Sequence, residues 1–168
     1  IESCKALDSE INFADYDADN DGKVDNIYFF YAGNGQADTP NGTELIWPHS
    51  WYLGENGWKQ TLVLDGKQID RYTCSNELRY KSDGTKVPTG IGTFVHEFGH
   101  VLGLADHYDT SYGMLTFGLG SWDTMASGSY NNDMNTPPVF SAFERAELGW
   151  LDYTDLNIDA DSINVLPN

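Results

Sequence analysis

Basic residues are scarce in this chain of 168 residues: nine Lys plus Arg stand against 26 Asp plus Glu, a formal net charge of −17. A surface this negative repels nucleic-acid phosphates and anionic lipid head groups, so neither is an expected partner. No apolar run approaches the roughly 20 residues that span a bilayer, so no membrane insertion is expected. Cysteine is equally sparse. Cys4 and Cys74 allow at most one disulfide, their spacing fits no zinc knuckle, and a bridge and a pair of free thiols are both compatible with it. No basic segment followed by an apolar one opens the chain at Ile1, so no signal peptide is expected there. No internal repeat and no low-complexity linker divides the sequence.

Apolar material is nevertheless ample. Hydrophobic residues make up 40% and aromatics 14%, which supplies a core and excludes wholesale disorder. The length fits one domain. High acidity with abundant Gly, Tyr and Trp leans towards an extracellular protein. Cys4, Leu7 and Ile11 share a helical stripe over 1–11. The compact apolar run Ile27 to Ala32, bounded by Gly33-Asn34-Gly35, reads as a buried strand. Pro48 limits 44–51 to an edge strand at best. Residues 59–74 read as a hairpin about Asp65-Gly66, and 79–90 as a polar loop. Ile91, Phe94, Val95, Phe98, Val101 and Leu102 recur at helical spacing, as on a buried helix closed by Gly103. Residues 104–138 lack a regular pattern. Ser141 and Glu144 predict a capping box opening a short helix closed by Gly149. Leu156, Ile158, Ile163 and Val165 suggest short strands in the tail.

His96-Glu97-Phe98-Gly99-His100 is an H-E-x-x-H sequence. On a helix, positions i and i+4 share a face, so both imidazoles can address one metal ion. Glu97, beside the pair, can reach a metal-bound water and accept its proton without being a ligand. The composition predicts about 0.004 chance matches to this pattern, so two histidines merely satisfied in a core is the weaker reading. The motif continues through Gly103 to Asp106 as H-E-x-x-H-x-x-G-x-x-D. A Gly can turn the chain sharply and return residue 106 to the metal, where a carboxylate oxygen is an acceptable zinc ligand. This is the metzincin spacing, with Asp where His is usual, so His107 and Asp109 compete for the third position. Met125, in Ser121-Trp122-Asp123-Thr124-Met125-Ala126-Ser127-Gly128, reads as the methionine turn beneath such a metal.

Taken together, HEFGHVLGLADHYD, SWDTMASGSY and SAFERAELGW resemble the immune-inhibitor-A-like peptidases, family M6 of the metzincin clan. YDADNDGKVDNIYFFYAG and ELIWPHSW resemble the part of that family upstream of the zinc helix. The likeness covers roughly 12–150. It implies a secreted zinc endopeptidase made with a pro-segment, so that 1–168 would be a single catalytic domain of a longer precursor. Astacin-like relatives carry a metal-binding Tyr two residues after Met. Here Tyr130 follows Met125 by five, so that role does not carry over.

Asp17, Asp19, Asp21 and Gly22 match D-x-D-x-D-G, the start of a calcium loop. Tyr28 stands where an EF-hand needs Glu, so the loop is not an EF-hand, and Asp25 is the candidate to complete the shell. His49, between Trp47 and Trp51, reads as structural. Asn41-Gly42-Thr43 is a glycosylation sequon. The expectation is therefore an α+β, metzincin-like domain. An upper half, 1–103, packs a small mixed sheet on the zinc helix, and a lower half, 104–168, is mostly irregular. His96, His100 and Asp106 would hold zinc, with Glu97 as base, Asp17, Asp19, Asp21 and Asp25 as a calcium site, and a protein or peptide as substrate of a monomeric enzyme. The competing reading is a calcium-stabilised binding module with a decayed peptidase site, against which the intact Glu97 argues.

Overall fold

The structure, a computed structural model, describes residues 1–39, 42–111 and 118–152. Its elements mix helix and sheet. A first helix, α1 (Glu2–Leu7), turns Cys4 inward, while Leu7 is exposed. Strands β1 (Ile27–Asn34), β2 (His49–Tyr52), β5 (Arg71–Tyr80) and β6 (Lys86–Pro88) form one sheet, and β3 (Leu62–Leu64) with β4 (Lys67–Ile69) forms a separate hairpin. Strand β5 is the axis of the sheet. It pairs with β1 in parallel and with both β2 and β6 antiparallel. The longer helices that follow are α2 (Ile91–Leu102) and α3 (Ala142–Glu147). Between them the described residues are largely irregular, as the lack of pattern over 104–138 predicts, with only short turns and a kinked helical segment at Asn131–Met134.

The Asp65-Gly66 turn forms as expected. Both residues have positive φ (51° and 76°), the backbone of a two-residue hairpin turn whose twist suits the strands. The hairpin is shorter than its apolar run suggests. It ends at Ile69, because the Asp70 carbonyl turns to accept from Leu53 N and its side chain from Gly54 N.

Three readings are corrected. Residues 79–90 are not a loop throughout, since Leu78 to Tyr80 pair with Lys86 to Pro88 across a turn at 81–85. The strand signal was hidden because only Val87 is apolar in β6 and Pro88 ends it. Strand β1 is not buried. It lies at the edge of the sheet with Phe30 65% exposed. Its apolar run faces α2 instead, where Tyr28 and Phe94 lie 4.8 Å apart and Phe30 and Phe94 5.9 Å. The α2 stripe is likewise only partly covered, with Ile91 and Phe98 exposed. The face that α2 buries carries Gly92, Glu97 and Gly99.

That face is set by close approach. A Cβ on Gly92 would strike the Ser129 carbonyl, and one on Gly99 the Met125 sulfur. The main apolar cluster lies elsewhere. Cys4, Phe13, Val24, Leu53, Leu62 and Ile69 pack under α1, the acidic loop and the hairpin. Cys4 and Cys74 are both buried and unpaired, which closes the disulfide alternative, and burial pushes both thiols up. The capping box at α3 is complete, with Ser141 and Glu144 bonding reciprocally. The four tail positions Leu156, Ile158, Ile163 and Val165 lie outside the described residues, as does Asn41 of the sequon. No helix among the described residues is long and apolar enough to cross a membrane.

Candidate metal centre

Helix α2 brings His96, Glu97 and His100 to one place, and its C-terminus brings a fourth group. Gly103 takes φ 106°, and the Gly103 and Leu104 N–H groups close onto the His100 and Gly99 carbonyls. The chain then reverses and delivers Asp106. Its Oδ1 lies 3.4 Å from His96 Nε2 and 3.4 Å from His100 Nε2. Neither competitor arrives there. Asp109 accepts from Ser111, and His107 joins a different group.

Each imidazole is held from behind. His96 Nδ1 donates to the Thr124 carbonyl and His100 Nδ1 to the Leu104 carbonyl, both at 2.9 Å. A carbonyl can only accept, so Nδ1 carries the hydrogen and Nε2 offers a lone pair towards Asp106. Arg71 of β5 donates to the His100 carbonyl and ties the sheet to this helix end. Asp106 Oδ1 is shielded from water and has no hydrogen-bond partner among the described residues. Burial pushes the Asp106 carboxyl up, but the nearness of the His100 and His96 rings outweighs it and holds the carboxyl well below the ordinary range. Burial pushes both histidines down, and the Asp106 carboxylate more than reverses this. A buried acceptor without a donor, facing two imidazole lone pairs, is a donor set that fits a divalent cation.

Glu97 is 93% buried and is not part of that convergence. Burial raises its pKa, against the pull of His96, His100 and His49. A carboxylate so placed is a better proton acceptor than one in water. His49 itself is engaged at both ring nitrogens, with the Trp47 carbonyl at 2.6 Å and the Tyr72 hydroxyl at 2.8 Å.

Beneath α2, Met125 is completely buried in a turn. Sequence reasoning identified this methionine but missed what fixes it. The His107 N–H donates to the Met125 carbonyl at 2.8 Å, and His107 Nδ1 donates to Asp123 Oδ2 at 2.8 Å. Asp123 Oδ1 in turn accepts from Met125 N at 2.6 Å. Glu144 Oε1, fully buried, lies 3.7 Å from the same His107 nitrogen. Asp123 was legible only as a neighbour of Met125, and Glu144 only as a helix cap. Their burial in a common cluster depends on a contact across 37 residues that no local pattern encodes.

Asp17, Asp19 and Asp21 are brought together in the acidic loop, each with a carboxylate oxygen within 4.8 Å of the others. Asp25 is not brought into this set; its Oδ2 accepts from Ala18 N. The loop is anchored to β4 through Val24 N to the Gln68 carbonyl and Gln68 N to the Gly22 carbonyl. Lys67 Nζ reaches Asp17 Oδ2 at 2.5 Å. That ammonium, with the Gly22 and Asp21 N–H groups, holds Asp17 below the ordinary carboxylate range.

A cavity of about 290 Å³ opens beside Glu97. Tyr130, to which its spacing from Met125 carries over no metal-binding role, lines this cavity with His96 and Glu97.

Paired imidazoles on one helix turn, with a buried carboxylate at their side, form the site class of the metallopeptidases. The chain belongs to one family of that class. Residues 7–151 match the profile of the Immune inhibitor A peptidase M6 catalytic domain. Similar proteins include the pre-pro-metalloprotease PrtV of Vibrio cholerae serotype O1, 29% identical over 92% of this chain and 19% of that protein. Immune inhibitor A of Bacillus thuringiensis subsp. alesti is 30% identical over 72% of this chain and 18% of its own length. The chain thus spans about a fifth of the length of these curated relatives.

Proposed function

We propose that residues 1–168 form one metzincin-like catalytic domain of a secreted zinc endopeptidase, with Glu97 as its general base. The observation that carries this is the convergence of His96, His100 and Asp106 at 3.4 Å beside a buried Glu97. A separation of 3.4 Å is the edge of a tetrahedron whose bonds are about 2.1 Å long, the size zinc prefers. When bound, zinc supplies Lewis acidity, which acidifies water and polarises a carbonyl oxygen. Glu97 takes the proton from the attacking water and returns it to the leaving amine. The pre-pro form in the name of the Vibrio relative and the scarcity of Lys and Arg support secretion. The test is digestion of a denatured protein with and without a chelator. Cleavage that persists after complete metal removal would end the metal-dependent reading.

The third ligand has its own test. Asp106→Ala should weaken zinc binding by more than the roughly 10–100-fold that an outer-shell change costs, with excess zinc partly restoring the site. His107→Ala should loosen the Met125 turn while keeping zinc within that 10–100-fold band. Competition with a calibrated chelator measures both. Tight zinc in Asp106→Ala together with lost zinc in His107→Ala would reverse the assignment.

The aspartate loop is proposed as a calcium site through Asp17, Asp19 and Asp21, with Asp25 in an outer role. A ligand that binds only the native state at 100 times its Kd adds about 2.7 kcal/mol, or on the order of 5–10 °C in Tm for a domain of this size. Calcium should raise the melting temperature of the parent protein and leave Asp19→Ala nearly unchanged. Equal shifts in the two would place calcium elsewhere.

A further inference from the structure

The cavity beside Glu97 has a charged wall that the cleavage reaction does not use. Asp38, in the turn after β1, lines it together with Trp47, Asn76, Tyr108 and Tyr130. Asp38 Oδ1 is shielded from water and has no hydrogen-bond partner among the described residues. Among the described side chains, its Oδ2 has one long contact, 3.5 Å, from Asn76 Nδ2. That amide is already engaged at 2.7 Å with the Leu78 carbonyl and at 3.1 Å with Thr89 Oγ1. A desolvated carboxylate short of donors costs stability unless a cation or donor meets it. Arg79 acts on it only from a distance, since its guanidinium pairs with Asp133 at 3.0 Å. No Lys or Arg among the described residues lines the cavity.

We propose that Asp38 makes this cavity a subsite for a cationic side chain, lysine or arginine, of the residue flanking the bond that is cut. The inference rests on the peptidase reading for the word "cut", and on Asp38 alone for the word "cationic". The remaining walls suit such a side chain. Trp47 and Tyr130 are about half exposed, at 54% and 52%, and offer ring faces to an alkyl stem and to the charge it carries. The ammonium or guanidinium would then donate to the Asp38 carboxylate through Oδ2, whose one side-chain contact is the long one from Asn76. Burial pushes the Asp38 carboxyl above its ordinary range, against the hydrogen bonds from its own backbone and Asn76 and the pull of Arg79, and a cation beside it would bring it back down. The strongly negative surface draws the same class of peptide towards the cleft.

The experiment uses the full chain loaded with zinc and carrying Glu97→Gln, so that peptides bind without being cut. Two probes are compared by calorimetry: a hexa-alanine peptide with one central lysine, and its twin with norleucine, which keeps the stem and removes the charge. The lysine peptide should bind at least tenfold more tightly. Adding Asp38→Asn should shrink the ratio to about threefold or less, while adding Glu10→Gln, at an exposed acid, should leave it. Equal binding of the two peptides, or a ratio that survives Asp38→Asn, overturns the proposal. If Asp38→Asn does not fold, the lysine–norleucine comparison in the protein with Asp38 intact decides alone. A parent protein that cuts denatured protein with no lysine or arginine enriched beside the cut also overturns it and leaves the peptidase reading standing. A parent that cuts nothing while the binding ratio holds removes the peptidase reading and leaves Asp38 as a cation site.

Discussion

Glu97→Gln should keep its zinc and lose its cleavage. The substitution preserves shape and removes the proton acceptor, and Glu97 lies outside the set of atoms that meet at Asp106. Metal content should therefore match the parent, while kcat falls by at least the roughly 10²–10⁴ that general-base catalysis contributes. KM should move little, because the amide fills the same space. Atomic absorption and a progress curve on one peptide measure both quantities. Loss of zinc from this variant would make Glu97 a ligand and dissolve the division of labour proposed for the helix.

The second large effect is His100→Ala. This removes one of the two imidazoles and leaves Asp106 Oδ1 facing His96 alone. Stoichiometric zinc should disappear after dialysis and activity should fall to background. The damage should extend beyond the metal, since His100 Nδ1 also holds the Leu104 carbonyl at 2.9 Å and so helps fix the turn that delivers Asp106. Stoichiometric zinc in this variant would sink the assignment of the centre.

Much of the site was legible because it is local. The spacing 96–100 places two side chains on one helical face, and Gly103 supplies the positive φ that returns residue 106. The hairpin at Asp65-Gly66 and the capping box at Ser141 were readable for the same reason, as each is closed within four residues. Strand exposure was not. The run from Ile27 to Ala32 is equally apolar in a central or an edge strand, and only the pairing with β5 decides. The burial of α2 was misread in part because its inward face carries glycines, which hydrophobic periodicity cannot count. Asp38 was invisible in a polar stretch, since its meaning comes from Asn76 and Glu97, which arrive from β5 and α2.

The glycines of α2 have a temporal consequence. Alanine would firm this helix by roughly 0.5–1 kcal/mol at each position, yet Gly92 and Gly99 admit no methyl group against Ser129 and Met125. A helix of 12 residues carrying them is marginal in water by itself. It becomes a fixed rod only when the chain beyond residue 120 has closed over it, so His96 and His100 cannot be aligned before synthesis has passed that point. The two metal-facing imidazoles are thus aligned late, once the chain that covers α2 is in place.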